Sequence, residues 1–244
     1  MKILEEILKT VNGDFPVRDI QVGIHWTAVI SKYCGLASTL CEPPPHHNNQ
    51  VRDVGCLHHK TASDLARLVL SDRLLEASIG MATINSLIEI DEQQCEPINA
   101  FDIIAEKGGN RNIGIIGHFP FIPRLKKEAR QLWVFERRLQ EGDLPEAEIE
   151  NLLPECDVIG ISATTLMNHT FEKIVNSCRT DAFKIMLGAS TPLLPLLFDY
   201  GLDVLSGSKV IEAGSTCISI RQGATFKQIK GIKLLSMRSK GRKG

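Results

Sequence analysis

Short apolar runs that end in glycine and hydroxyl residues recur in the second half of the chain. Three of them cover residues 112–120, 157–170 and 184–192. Apolar runs without polar alternation are typical of strands covered on both faces, so they predict neighbouring strands of a parallel sheet. Because the carboxyl ends of parallel strands lie at one edge of the sheet, we expect the three loops to face one ligand-binding crevice.

The second half as a whole alternates predicted strands with predicted helices. Strands are expected near residues 112–117, 131–136, 157–162, 184–188 and 203–206. Helices are expected near residues 120–129, 145–152, 168–178 and 192–200. This alternation predicts an α/β domain with a mostly parallel sheet and helices on its faces, which we place at residues 101–232.

The first hundred residues show a different pattern. Apolar residues at helical spacing predict a helix over residues 1–11. Alternation of apolar and polar residues between positions 17 and 40 predicts half-buried antiparallel strands. We therefore expect residues 1–100 to form a smaller α+β domain, with the boundary between about 95 and 110.

Three more helices complete the predicted first domain and its boundary. They are expected over residues 61–71, 72–90 and 98–107, and the last should end at two glycines, residues 108–109, in a left-handed conformation. Gly80 lies inside the second of these helices, where glycine costs about 1 kcal/mol relative to alanine. Close approach of another backbone or of a ligand would explain it.

Charge and cysteine usage narrow the class of protein. The 244 residues carry a formal net charge of -1, so no overall field attracts nucleic acid. The carboxyl end is basic, and we expect residues 233–244 to form a basic flexible tail. The 7 cysteines form no CxxC pair, and no apolar stretch approaches the roughly 20 residues that span a bilayer. We expect a cytoplasmic protein with reduced thiols.

The first loop of the predicted crevice contains Gly117 and His118, where a Rossmann phosphate loop would lie, although the full GxGxxG set is missing. Glu136 ends the next strand, close to the spacing at which an acidic residue contacts a nucleotide ribose. The alternative for Glu136 is a surface residue paired with Arg137 or Arg138. His118 could bind a metal, donate to an anion or act as acid or base, or it could simply hydrogen-bond a loop carbonyl.

The later loops offer hydroxyls and backbone amides. Asn168 is predicted to cap the helix that follows its loop, and Pro192 is predicted to be the first residue of the next helix. Hydroxyls beside free helix-start amides can bind an anion, and ordinary capping is the alternative. The candidates are Thr164, Thr165 and Asn168 after the third strand, Gly188, Ser190 and Thr191 after the fourth, and Gly207 after the fifth.

A group of cysteines and histidines lies in the first domain, but its spacing matches no compact zinc motif. A solvent-exposed loop is the favoured interpretation. The residues are Cys41, His46, His47, Cys56, His58 and His59.

The chain resembles the putative heavy-metal chelation family of uncharacterised two-domain proteins. The resemblance lies in the sequences of the three loops, of the segment around Trp26 and of the segment from Ile79 to Asn85. The resemblance implies a Rossmann-like domain preceded by a domain similar to the amino-terminal part of enolase. It also implies a ligand site between the domains. The residues that the resemblance brings to that site are Asn85, Gly117, His118, Phe119, Thr164, Thr165, Asn168, Ser190 and Thr191.

Two functions remain open from the sequence, and a third option is a structural subunit whose crevice is vestigial. The first is binding of a small molecule, a metal ion or a metal chelate in the interdomain crevice, with His118 as the metal ligand. Hydroxyls and amides bind soft metals poorly, so a chelate that carries its own donors suits these residues better than a bare ion. The second is an enzyme that acts on a nucleotide-like or adenosyl ligand, with His118 as acid or base. Homo-oligomer formation is left open.

Overall fold

The computed structural model describes residues 1–11, 13–42 and 50–241 of the chain. The strands are β1 Asp19–Val22, β2 Trp26–Ile30, β3 Cys34–Ser38, β4 Cys95–Glu96, β5 Asn112–Ile116, β6 Gln131–Phe135, β7 Val158–Ser162, β8 Phe183–Leu187, β9 Val204–Val210 and β10 Ile232–Arg238. The helices are α1 Lys2–Thr10, α2 Ala62–Ala66, α3 Leu74–Leu87, α4 Ala100–Gly108, α5 Ile122–Leu125, α6 Ile149–Leu152, α7 Thr164–Met167, α8 Phe171–Ser177 and α9 Ala213–Arg221.

Two sheets organise the described residues. β1, β2 and β3 form a three-stranded antiparallel sheet. The other seven strands form one sheet in the order β4-β10-β9-β8-β7-β5-β6. The five strands from β9 to β6 in this order are parallel, and β10 and β4 join antiparallel at the edge opposite β6. The predicted fold class, a Rossmann-like α/β domain after a smaller α+β domain, is confirmed.

The small sheet packs on α3, which is buried on nearly all sides. Two glycines explain how close the backbones come. A Cβ atom on Gly80 would lie 2.1 Å from the Val69 nitrogen, and one on Gly35 would lie 2.1 Å from the Ala82 oxygen. The close backbone approach expected at Gly80 is therefore present. With larger residues at positions 80 and 35, helix α3 could not come this close to the Arg67–Leu70 turn and to β3.

One apolar core connects the two halves of the chain. It contains Ile7 of α1, Met81 of α3 and Phe171 of α8, each at most 1% exposed. Hydrogen bonds follow the same contact, since the Ile3 amide donates to Glu172 and the Tyr200 hydroxyl donates to Glu6. No helix in the described ranges is long and apolar enough to cross a bilayer.

The predicted flexible tail is wrong for residues 233–238, because these residues belong to β10. Strand β10 pairs with β9 along its whole length, and Leu235 and Met237 are buried. Its basic residues are anchored at the surface, where Lys233 contacts Glu92 and Arg238 contacts Glu96. Positive charge at this end indicated a tail, but the apolar positions between the charges decide the structure. Residues 242–244 lie outside the described ranges.

Three local predictions also need correction. Helix α4 ends without a left-handed glycine; Gly109 has φ -54°, and the left-handed residue is Asn110 at φ 55°. Asparagine tolerates the left-handed conformation better than most residues, which explains why Asn110 can take the place expected for a glycine. Pro192 begins no helix, because the next helical segment is a 3-10 helix that starts at Pro195. Asn168 caps the end of α7 and not the start of α8, whose N-cap is Thr170.

Candidate ligand-binding site

A cleft lies at the carboxyl ends of β5, β6 and β7. The chain passes from β5 to β6 on one side and then crosses to β7 on the other side of β5. This reversal is the topological switch point, where ligands bind in open α/β sheets. The free space is about 390 Å³, including the part open to solvent. The polar and charged lining residues are Glu136, Arg137, Glu146, Ser162, Thr164, Thr165, Asn168 and Thr170.

Gly117 turns the chain at the end of β5. Its φ of 101° is in the left-handed region, and its amide donates to the Phe135 carbonyl at 2.8 Å. A Cβ atom here would lie 3.1 Å from Ser162 Cβ. Glycine is therefore required both by the backbone conformation and by the narrow gap between the β5 and β7 loops.

Glu136 connects the first two loops of the cleft. Its Oε2 accepts from the His118 amide at 3.0 Å, and its Oε1 accepts from the amides of Arg137 at 2.7 Å and Arg138 at 3.2 Å. The predicted pairing with the arginine side chains is not what the structure contains, since backbone amides bind the carboxylate instead. The Arg137 guanidinium lies 3.7 Å from Glu146. The three charged residues of the cleft therefore sum to -1.

The β7 loop supplies the hydroxyls of the cleft. Ser162 and Thr164 share a hydrogen bond of 2.8 Å, and Thr165 donates to the Ser162 carbonyl at 2.7 Å. Asn168 Oδ1 accepts from the Thr170 amide and hydroxyl. Asn168 Nδ2 has no protein partner among the described residues, so it remains a donor that a ligand could use.

His118 is fixed by a residue that the sequence pattern did not reveal. Its Nδ1 lies 3.0 Å from both carboxylate oxygens of Asp143, which is 2% exposed and also accepts from the Gln140 amide. The His118 side chain is 25% exposed, and its Nε2 has no partner in the described part of the chain. Asp143 lies in a polar loop whose residues show no periodic pattern, so only the folded chain brings it to His118.

The remaining candidates lie where the two domains meet and not in the cleft. The Ser190 hydroxyl accepts from the Ser38 amide at 2.8 Å, and Asn85 Nδ2 donates to the carbonyls of Ser190 and Leu36. Ser190 and Thr191 are 1% and 2% exposed. They belong to the turn that begins at Gly188, whose carbonyl accepts from the Thr191 amide.

Two further candidates are packing residues. A Cβ atom on Gly207 would lie 2.8 Å from the Thr191 carbonyl oxygen, so Gly207 lets β9 approach the β8 loop. The Phe119 ring stacks on Phe121 at 5.2 Å and packs against a buried cluster of the second domain. The structure thus brings together Gly117, Glu136, Thr164, Thr165 and Asn168, with His118 next in the chain and the edge of the Phe119 ring beside Gly117. It separates them from Asn85, Gly188, Ser190, Thr191 and Gly207.

The residues of the cleft do not fit a bare metal ion. They contain no group of three or more His, Cys, Asp or Glu side chains placed to hold one. Asp143 is the one acidic side chain in the described ranges that contacts the His118 ring, and it binds Nδ1. In the first domain Cys56, His58 and His59 are exposed, in keeping with the expected solvent-exposed loop, whereas His46 and His47 lie outside the described residues.

The fold defines a two-domain α/β protein with a Rossmann-like sheet. The chain belongs to the DUF364 family, described as putative heavy-metal chelation, whose model matches residues 99–237. A second model, DUF4213, carries the same description and matches residues 4–88.

Three other proteins are similar to this chain. An uncharacterized protein of Methanocaldococcus jannaschii is 26% identical over 248 residues, covering 94% of this chain and 95% of the relative. A crystal structure of a DUF364 protein of unknown function from Desulfitobacterium hafniense DCB-2 has a TM-score of 0.80 at 22% identity and covers 98% of both chains. One from Pyrococcus horikoshii has a TM-score of 0.83 at 21% identity, covering 97% of this chain and 98% of its own. These likenesses establish the shared fold.

Proposed function

We propose that this protein binds a small polar molecule, free or as a metal chelate, in the cleft at the switch point. The observation that carries this proposal is the meeting of three strand ends around Glu136, Thr164 and Asn168. The enclosed part of the cleft is about 50 Å³, so it can hold one polar group of a small molecule, and the rest of the ligand would lie in the part open to solvent. The described lining residues all belong to the second domain, so this site lies within that domain and not between the two.

The charges of the cleft indicate the kind of ligand. Glu136 and Glu146 outnumber Arg137, which disfavours a strongly anionic molecule. A neutral or cationic ligand with hydrogen-bond donors complements the carboxylate of Glu136 and the hydroxyls of the β7 loop. A metal would enter the cleft with its own donors, since the residues of the cleft supply no set of ligands for it.

The test is a calorimetric titration of the protein with nucleosides, S-adenosylmethionine, neutral copper(II) bis-glycinate and free copper(II). We expect a member of this panel to bind, and Asn168→Ala to weaken it about tenfold, the value of one good hydrogen bond. Gly117→Ala should abolish binding because it distorts the turn. Asn176→Ala, on the exposed side of α8, is the matched control and should leave affinity unchanged. Wild-type affinity in both cleft variants would contradict the proposal.

A nucleoside is the second candidate, and the position of Glu136 favours it. The residue follows the strand beside β5, where dinucleotide folds place the ribose-binding carboxylate. Oε1 already accepts from two amides, but Oε2 accepts from only one among the described residues, so it can accept a ribose hydroxyl as well. In this case the protein should bind adenosine more tightly than 2′-deoxyadenosine, and Glu136→Gln should remove the difference. Equal affinities in the wild-type protein would exclude the ribose contact.

A further inference from the structure

A second cavity lies between the two domains, away from the cleft. Its walls are β3 and the end of α3 from the first domain and β9 from the second. Its free space of about 590 Å³ exceeds that of the cleft. The polar residues that line it are Tyr33, Cys34, Asn85, Glu89, Ser208 and Lys209.

Two thiols meet beside this cavity. Cys34 lines the cavity from β3, and Cys217 lies on α9 of the second domain, 4% exposed. Both belong to one apolar cluster with Leu36 and Ile220, and their side chains interact with each other. Both cysteines are free. The pair therefore joins the domains and can be reached from the cavity through Cys34.

The surroundings determine which chemistry these thiols allow. Burial raises the pKa of Cys34 to about 12, and burial also raises the pKa of Cys217. Both thiols therefore carry their protons at neutral pH, and neither is an activated nucleophile. A charged product would be costly in an apolar cluster, so a bound species must leave the pair neutral.

We propose that Cys34 and Cys217 form a two-thiolate site for a soft divalent cation such as mercury(II), which enters through the interdomain cavity. Binding breaks two S–H bonds and forms two S–metal bonds, and the two protons pass to water without any oxidation or reduction. One divalent ion replaces two protons, so the buried pair stays uncharged. Thiolates select soft ions, and the described residues offer no third ligand for ions such as zinc that need four.

Retention of mercury(II) against a competing monothiol tests this site. The loaded protein is dialysed against excess glutathione, which removes the ion from isolated cysteines but less readily from a preformed pair. Wild-type protein should keep one equivalent more than Cys34→Ala, and Cys217→Ala should lose the same equivalent. Cys95→Ala, which changes a half-buried cysteine outside the pair, should match the wild type.

A thermal-unfolding measurement separates a bridge from a single attachment and checks that the variants fold. An ion that links β3 to α9 should raise the melting temperature of the wild-type protein and of Cys95→Ala, but not that of either pair variant. Retention unchanged in the pair variants, or lost only in Cys34→Ala, would overturn the two-thiolate site. Neither result bears on the cleft, because the titrations of the cleft use different ligands and residues.

Discussion

Two loops of similar composition have opposite surroundings in this protein. The loop after β7 opens onto the cleft, where Thr164 and Asn168 are half-buried. The loop after β8 is covered by the first domain, so Ser190 contacts Ser38 of β3 and its carbonyl accepts from Asn85 of α3. Glycine and hydroxyl residues at a strand end can therefore serve a ligand or a domain contact. What covers the loop decides between these roles, and the composition of the loop does not.

The largest expected effect on stability comes from comparing two carboxylates, one in the first domain and one in the cleft. Glu76 is fully buried and is bound by Arg52 and Ser71, whereas Glu136 of the cleft is half-buried and is bound by backbone amides. Glu76→Ala should lower the free energy of unfolding by roughly 3 kcal/mol, because the buried carboxylate accepts hydrogen bonds from the Arg52 amide, the Arg52 guanidinium and the Ser71 hydroxyl. Urea denaturation measures this, with Glu150→Gln, at an exposed ion pair, as the unchanged control.

The same pair predicts a dependence of stability on pH. Burial by itself raises the pKa of Glu76, but hydrogen bonds from Arg52 and Ser71 outweigh it and lower the pKa from 4.5 to about 2. The stabilisation is therefore complete above pH 4.5 and is lost as the pH falls from 4.5 toward 2. Acid titrations of the unfolding free energy should show this loss in the wild-type protein and not in Glu76→Ala. Parallel curves would contradict the assignment.

Gly117 of the cleft and Gly207 of the domain contact offer a second contrast, with a somewhat smaller expected effect on stability. Gly207→Val should lower the free energy of unfolding by about 2–3 kcal/mol, because its side chain meets the Thr191 carbonyl in the domain contact. Gly117→Ala should cost about 1 kcal/mol, the penalty of a left-handed alanine. Its main effect should be on ligand binding. Equal losses of stability would show that the two loops do not differ as described.

Two asparagines sharpen the comparison further. Asn85→Ala should cost about 1–2 kcal/mol, since the Leu36 and Ser190 carbonyls lose their donor. Asn168→Ala should change stability by less, because its two hydrogen bonds are both to Thr170 within one half-buried turn and join no separate elements. Denaturant unfolding of the two variants checks both values. A larger loss at Asn168 would make it a structural residue and weaken its role in the cleft.

The smallest effect concerns the His118 ring. Asp143 accepts at Nδ1, so the neutral ring should carry its proton there and leave Nε2 as an acceptor. Nitrogen-15 NMR of the neutral ring should show this single tautomer in the wild-type protein and a mixture in Asp143→Ala. A mixture already present in the wild-type protein would remove the positioning role of Asp143.

Sequence patterns predicted the elements better than their relations. The five parallel strands of the second domain appear where apolar runs predicted them, and β5, β7 and β8 are buried on both faces, whereas the edge strand β6 is only partly buried. The convergence of Gly117, Glu136 and Asn168 also follows from strand order. The domain contacts could not be predicted, since nothing in the sequence around Ser190 indicates that Ser38 covers it. Asp143 was missed for the same reason, because a polar loop has no periodicity that marks its partner.

Hydrogen exchange with the best-binding member of the ligand panel tests the central claim most directly. If the cleft is the ligand site, the amides of Gly117, His118 and Arg137 should exchange more slowly with ligand than without it. The amides of Ser38 and Thr191, which lie in the domain contact, should not change. Protection confined to the domain contact, with no change around Gly117, would contradict the assignment of the cleft.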